Sequence, residues 1–396
     1  HMTTVLNDQM AQLISRAREL STVVGERAEQ CEALRRILPE THKDFLDAGF
    51  YKILQPARYG GFDLEFGIQT DLAAEIGRGC ASSAWVLSVI SCHSWMVGMF
   101  PEQAQDDIWG DHPDALISSS FLSMGPTSVK RTNGGYQLKG RWGFSSGADY
   151  CQAVMLLVTL PLDSGKGREP ALLLVPKSRY EVVDTWHATG LTGTGSNDLI
   201  IKEAFVPDHC VLRIKDTTGG PTPGSVINSG PNFKLPLFSV LPFNLVGAAF
   251  GAARGALDTI VDGLKEQRSS AQVVLKNQQS VQLRVAQVTA LIETAWNALQ
   301  PIRYKINSDA NQGIVPSIET KTKYRLVLGH SAKLCVEAMD QLFPLMGGRG
   351  LSVGNPVQRA WRDVHSVAQH VGLIWDIQAS NFGSVKLGLP CTDPLQ

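Results

Sequence analysis

From about Asn7 to Gly49 the apolar residues recur at helical spacing: Leu13, Ala17, Leu20 and Val24, then Leu34, Ile37, Leu38, Phe45 and Leu46. Repeats of three to four residues place an apolar stripe on one helix face, and Gly49 is a good stop signal. After a break at Pro56 and Tyr59-Gly60-Gly61, helical texture resumes from Phe66 to about Trp109, with Ser82-Ser83 inside and Pro101 interrupting. Residues 1–112 are therefore expected to form an N-terminal helical domain.

The period then changes. Asn133-Gly134 is a strong hairpin turn signal, and Tyr136-Gln137-Leu138-Lys139 alternates after it as a half-buried strand does. Ala153–Leu160 and Ala171–Val175 are short apolar runs bounded by Pro and Gly, and Leu199–Phe205 ends at Val206-Pro207-Asp208. These features predict a middle β domain, a barrel or sandwich, over residues 113–212. From Phe243 helical spacing returns in four long stretches, the later three being Val273–Gln300, Thr320–Phe343 and Pro356–Phe382. Gly247, Gly251 and Gly255 repeat every fourth residue, forming a stripe where another helix can approach closely. A four-helix bundle is expected over residues 213–396. The fold class is α+β: no βαβ alternation occurs, and no Gly-x-Gly-x-x-Gly follows a strand.

Composition narrows the function. With 36 basic and 37 acidic residues the net charge is −1, so no general attraction to nucleic acid or an anionic membrane is implied. The seven cysteines stand singly, with no Cys-x-x-Cys pair, which argues against a disulfide framework or a structural zinc site. The apolar stretch Leu235–Leu257 contains Pro236, Pro242, Asn244 and Arg254 and makes a poor membrane span. The first residues lack a secretory pattern, and His1-Met2 reads as a cloning remnant. A cytoplasmic protein that binds small molecules or other subunits is the expectation.

Three motifs carry a resemblance. Gly49-Phe50-Tyr51-Lys52-Ile53-Leu54-Gln55-Pro56-Ala57-Arg58-Tyr59-Gly60-Gly61, Gly190-Leu191-Thr192-Gly193-Thr194-Gly195-Ser196-Asn197, and Gly347-Gly348-Arg349-Gly350 followed by Trp361-Arg362-Asp363 occur in the order and separations of the acyl-CoA dehydrogenase signatures. The resemblance runs over nearly the whole chain. It implies that fold but not that chemistry, because Val371 stands where those dehydrogenases keep the glutamate that removes the α-proton. The flavin-holding Arg-x-x-Phe-Gly is reduced to Arg268-Ser269-Ser270-Ala271-Gln272, and Pro344 replaces an expected glutamine. Trp142-Gly143-Phe144-Ser145-Ser146-Gly147, Ile117-Ser118-Ser119-Ser120, His93-Ser94-Trp95, and His370 after Trp361-Arg362-Asp363 resemble the oxygenase components of two-component flavin-dependent aromatic monooxygenases.

That resemblance implies diffusible reduced FAD or FMN made by a separate NAD(P)H-dependent reductase, O2 as co-substrate, oxygen transfer from a flavin C4a-hydroperoxide to a phenolic or indole-type ring, and a homotetramer or homodimer. It also suggests roles for residues. Ser146 would contact flavin N5, with Ser145 contributing through its backbone and Trp142 and Phe144 flanking it. His370 would be the base or proton donor, and His93 a contact to a substrate hydroxyl. Ser119 and Ser120 are either a hydrogen-bonding wall or simply a strand end. Thr194 lies in the middle signature, and Arg268 either reaches the flavin phosphate or is an ordinary helix arginine, with Arg254 a weaker substitute. On a continuous helix His365 and His370 would project about 140° apart, so no shared metal is expected and His365 is read as structural. Arg362-Asp363 reads as an ion pair within the bundle. Two rival readings are an acyl-CoA dehydrogenase or oxidase with a relocated base and a non-catalytic flavin-binding protein.

Overall fold

The structure is a computed structural model that describes residues 7–266 and 273–396. Its first helices are α1 (Asp8–Glu26), α2 (Ala28–Leu34), α3 (Pro39–Asp47), α4 (Ile68–Ile76), α5 (Ala81–Val97) and α6 (Glu102–Trp109). Asn7 caps α1 by accepting the Met10 N–H, and its stripe Met10, Leu13, Ala17, Leu20 and Val24 is buried. Gly49 takes the left-handed conformation (φ 75°) after α3, as its position predicted.

Among the described residues nine strands follow: β1 (Ile117–Ser120), β2 (Leu122–Ser123), β3 (Ser128–Thr132), β4 (Gly135–Ser145), β5 (Ala153–Pro161), β6 (Arg168–Pro176), β7 (Glu181–Val183), β8 (Asn197–Pro207) and β9 (Val211–Arg213). One sheet runs β1-β5-β6-β9 and the other β2-β4-β8-β7, with β3 also on β4. Only the β1–β5 pairing is parallel among the described strands. Asn133-Gly134 turns the chain between Thr132 and Gly135, which face each other across the hairpin. Tyr136, Leu138 and Trp142 point from β4 into the sandwich and are fully buried.

The C-terminal unit contains α7 (Leu237–Val240), α8 (Phe243–Glu266), α9 (Gln279–Asn311), α10 (Ile318–Leu342), α11 (Pro356–Val367) and α12 (Trp375–Lys386). Two expectations need correcting. The second long helix starts at Gln279, not Val273, and continues through Pro301 to Asn311. The fourth is two helices, because side chains take the backbone groups that would have continued it. The His370 ring accepts the Gly372 N–H at 2.9 Å, and Gln378 donates to the Val371 carbonyl at 2.8 Å. The fourth side of the bundle is thus α11 and α12 with a turn between them.

The glycine stripe of α8 meets α4 of the N-terminal unit rather than another bundle helix. A Cβ on Gly247 would lie 2.7 Å from the Thr70 carbonyl oxygen, and one on Gly251 2.6 Å from that of Ala74. Beside this seam, buried Arg303 of α9 bonds Glu65 at 2.7 Å and Asp71 at 2.9 Å. Leu237–Glu266 is long and apolar enough to cross a membrane by composition, but 94% of its most apolar window is buried inside the protein. It is a core helix by that measure.

The seam predicts an asymmetric response to added methyl groups. Gly251→Ala should cost about 1–3 kcal/mol through overpacking and lower the midpoint of thermal unfolding. Gly383→Ala, on α12 with nothing within 4 Å of the new Cβ, should not. Equal losses in the two variants would contradict the packing account.

Candidate active site

Helix α5 is buried along its whole length, so its polar residues need partners inside the protein. Trp85, Val89 and His93 recur every four residues and share one face, turned toward β1 and the turn after β4. Trp85 and Val89 each keep 7% of their surface accessible while Leu87, Ile90 and Trp95 keep none, so this face of α5 is the less completely covered one. His93 has no free nitrogen. A carbonyl can only accept, so Nδ1–H donates to the Ile117 oxygen at 2.6 Å; Nε2 is then left to accept the Ser119 hydroxyl at 2.7 Å. Burial pushes the His93 pKa down to about 4, so the ring is neutral near pH 7.

The expected direct contact of His93 with a substrate is therefore not what the geometry offers. His93 holds Ser119, whose oxygen can still accept. Ser119 and Ser120 lie within β1, not beyond it, and they differ in use. Ser120 donates to the Gly143 carbonyl at 2.5 Å and ties β1 to the other sheet. Trp142 also differs from expectation: it is a core residue, its indole 3.4 Å from the Leu157 carbonyl. Phe144 is the aromatic that faces out. A register irregularity between Trp142 and Ser145 gives it a positive φ of 58° and leaves it 55% exposed, edge-on to Trp186.

Beyond that irregularity a chain of hydroxyls begins. The Trp85 indole N–H donates to Ser146 Oγ at 2.9 Å; Ser146 Oγ lies 2.7 Å from Ser196 Oγ, and Ser196 Oγ 2.6 Å from Thr194 Oγ1. Thr194 in turn reaches the Leu191 carbonyl at 2.8 Å. The neighbouring Ser145 Oγ is buried without a hydrogen-bond partner.

The loop bearing Thr194 and Ser196 is held from three sides. Leu191 N–H donates to Asp363 at 2.8 Å, and Arg362 donates to the Thr189 carbonyl at 2.8 Å while pairing with Glu32 at 2.6 Å. Gly193 N–H donates to Ser82 at the start of α5. Gly190 has to be glycine, since a Cβ would sit 2.1 Å from Ser366 Oγ. The Arg362-Asp363 pair expected within the bundle is thus two separate clamps reaching out of it. Burial raises the Asp363 carboxyl to about 6 despite the Leu191 N–H and Arg362.

The histidines near the C-terminus separate differently from the helical projection, because His370 lies in the turn after α11. Its Nδ1 accepts the Gly372 N–H, which places the proton of the neutral ring on Nε2. The ring is 5.8 Å from the Trp85 indole, centroid to centroid, so Trp85 touches both Ser146 and the His370 neighbourhood. Burial and then the positive charge of Arg325 lower His370 to about 4. His365 instead bonds Asp340 on α10 at 2.6 Å and packs on Trp361, a structural role with a carboxylate partner. A recess of about 350 Å³ between α10, α11 and α12 includes His365 but none of His93, Ser146 and His370.

Arg268 lies outside the described residues. Arg254 sits over Trp296 at 4.5 Å and pairs with Glu293. Asp107, His209 and Cys210 gather their ligand-type atoms within 4.8 Å of one another near the surface, where His209 bonds Asp107 at 2.7 Å. Reasoning from sequence missed Trp85, Ser196 and Arg325. Ser196 belongs to the middle signature, but its hydroxyl meets that of Thr194 through a 3-10 turn at Thr192–Thr194 and a left-handed Gly195, which no strand or helix period announces.

Comparison with known proteins identifies the family. Residues 8–110 match the family model for the N-terminal domain of acyl-CoA dehydrogenase, and residues 244–375 the model for its C-terminal domain. The chain is 35% identical over 389 residues to the oxygenase component of an FADH2-dependent resorcinol hydroxylase from Rhizobium sp. (strain MTP-10005), covering 95% of this chain and 94% of that protein. It is 31% identical to the HsaA oxygenase subunit of a flavin-dependent monooxygenase from Rhodococcus jostii (strain RHA1), over 95% of this chain and 98% of that protein. The crystal structure of 3-HSA hydroxylase from Rhodococcus sp. RHA1 superposes with a TM-score of 0.92 at 30% identity, covering 97% of this chain and 98% of that one. The chain belongs to the acyl-CoA dehydrogenase-fold family of flavin-dependent monooxygenase oxygenase components.

Proposed function

We propose that this protein is the oxygenase component of a two-component monooxygenase that uses reduced FAD or FMN and O2 to hydroxylate a phenolic ring. The observation that carries the reading is that the Ser146 hydroxyl chain and a neutral His370 both reach Trp85, with Val371 in the glutamate position of the dehydrogenases. The residues suit a flavin: Ser145 offers a buried hydroxyl without a partner, Ser146 keeps an unfilled lone pair, and Phe144 and Trp186 present accessible aromatic surface. Flavin, when bound in reduced form, supplies the electrons and the oxygen-activating centre. The relative named for resorcinol supports a phenolic substrate class.

The protein's own part is to hold protons at defined atoms. Ser119, having given its hydrogen to His93, accepts from a phenolic O–H and orients the ring. His370 is neutral and offers Nε2–H as a hydrogen-bond donor to the reacting atoms; to take up a proton as a base at Nδ1 it would first have to release the Gly372 N–H. Burial of Ser119 and His93 beside α5 limits the water that reaches them, which protects a reactive oxygen adduct from wasteful release of peroxide. Exposed Leu351 and Val353, accessible to 76% and 71%, support a homotetramer or homodimer. The seven unpaired thiols support a cytoplasmic location, with a separate NAD(P)H-dependent reductase supplying the flavin.

With reduced flavin, O2 and a panel of phenols, His370→Ala should consume oxygen but yield roughly ten- to a hundredfold less hydroxylated product per O2, the balance appearing as hydrogen peroxide. Normal coupling in that variant would remove His370 from the mechanism. Imidazole 15N NMR provides a second check: His93 should be the Nδ1–H tautomer and His370 the Nε2–H tautomer. Both should stay neutral from pH 8 to pH 5, because their folded pKa values lie near 4. Since the unfolded value is higher, these rings withdraw stability as pH falls from about 6.5 toward 4. Protonation of either ring above pH 6 would contradict the assignment.

A further inference from the structure

We infer that Ser196 and Thr194 act as positioning residues that fix Ser146 as a hydrogen-bond acceptor, so that the site favours reduced over oxidised flavin. This rests on the reading above that Ser146 faces flavin N5. The Trp85 indole N–H only donates and the Leu191 carbonyl only accepts, so the chain between them has a direction. Satisfying every link makes Thr194 donate to Leu191, Ser196 to Thr194 and Ser146 to Ser196. The Ser146 proton is then committed inward, while one lone pair of its oxygen stays open.

The two flavin redox states present opposite partners at N5. Reduced flavin carries N5–H, a donor that matches the open lone pair. Oxidised flavin has a bare N5 that needs a donor, and Ser146 could serve it only if the chain reversed. Reversal gives up the Thr194–Leu191 bond. The Leu191 carbonyl would keep the Trp186 indole N–H and the Thr194 backbone N–H, so the loss is one bond and not a collapse of the loop. All three hydroxyl residues are buried, at 6% accessibility or less, so water is poorly placed to replace the missing partner.

The experiment is paired binding of FMN and FAD to the full-length protein, oxidised in air and dithionite-reduced under anaerobiosis. Each is read as a dissociation constant for wild type, Ser146→Ala, Ser196→Ala, Thr194→Val and Thr194→Ser. In Ser196→Ala and Thr194→Val the ratio of oxidised to reduced dissociation constants should fall about three- to tenfold, the worth of one neutral hydrogen bond. Thr194→Ser, which keeps the hydroxyl, should retain the wild-type ratio. A merely structural role would weaken both redox states together and leave the ratio unmoved.

If Ser146→Ala shifts the ratio while Ser196→Ala and Thr194→Val leave it at the wild-type value, the positioning inference is overturned and the Ser146 contact stands. If Ser146→Ala changes neither constant, the contact itself fails and this inference falls with it. Absence of flavin binding to wild type in both redox states would overturn the functional reading as a whole.

Discussion

The hydrogen bond from the Leu191 backbone N–H to the buried carboxylate of Asp363 joins the loop that carries Thr194 and Ser196 to the C-terminal bundle. The same loop is held to the N-terminal helices by Ser82, and through Arg362 to Glu32. Three units therefore meet at one backbone segment, and the hydroxyl chain at Ser146 depends on that meeting. Burying a carboxylate without full pairing is unfavourable, as the raised Asp363 pKa of about 6 records. The structure accepts that cost at a junction, where one acceptor fixes the loop between bundle and sandwich.

Much of the fold was legible because its signals are local. Gly49 stopped a helix, Asn133-Gly134 turned a hairpin, and the spacing of Gly247, Gly251 and Gly255 announced a close helix contact. Each follows from backbone conformation or from the periodicity of one element. The partner of that stripe was not legible, since α4 lies more than 170 residues earlier and nothing local names it. Nor was the interruption between α11 and α12. It arises from the His370 ring and the Gln378 side chain taking the N–H of Gly372 and the carbonyl of Val371, contacts that apolar spacing cannot register.

The site was legible in the same uneven way. Motif likeness brought Ser146, His93, Ser119 and His370 forward, but their chemical states needed partners to be known. Ser119 and His93 are bonded across 26 positions and Ser146 and Ser196 across 50, so their donor and acceptor roles exist only in the folded chain. Trp142 looked like a flanking aromatic and is core, because the irregularity that follows it in β4 turns Phe144 outward instead. Trp85 stands among the apolar residues of α5 with no local mark, although its N–H starts the hydroxyl chain.

His93 and His370 are both neutral near pH 7, and the hydroxyls of Ser146, Ser196 and Thr194 have committed protons. Such groups can orient a substrate and donate hydrogen bonds, while Val371 stands where the dehydrogenases keep their carboxylate base. The most direct test is the origin of the oxygen atom in the product. With reduced flavin, a phenolic substrate and 18O2, the account predicts one 18O atom in each hydroxylated product and none derived from labelled water. Recovery of all the label as hydrogen peroxide, or entry of oxygen from water, would contradict it.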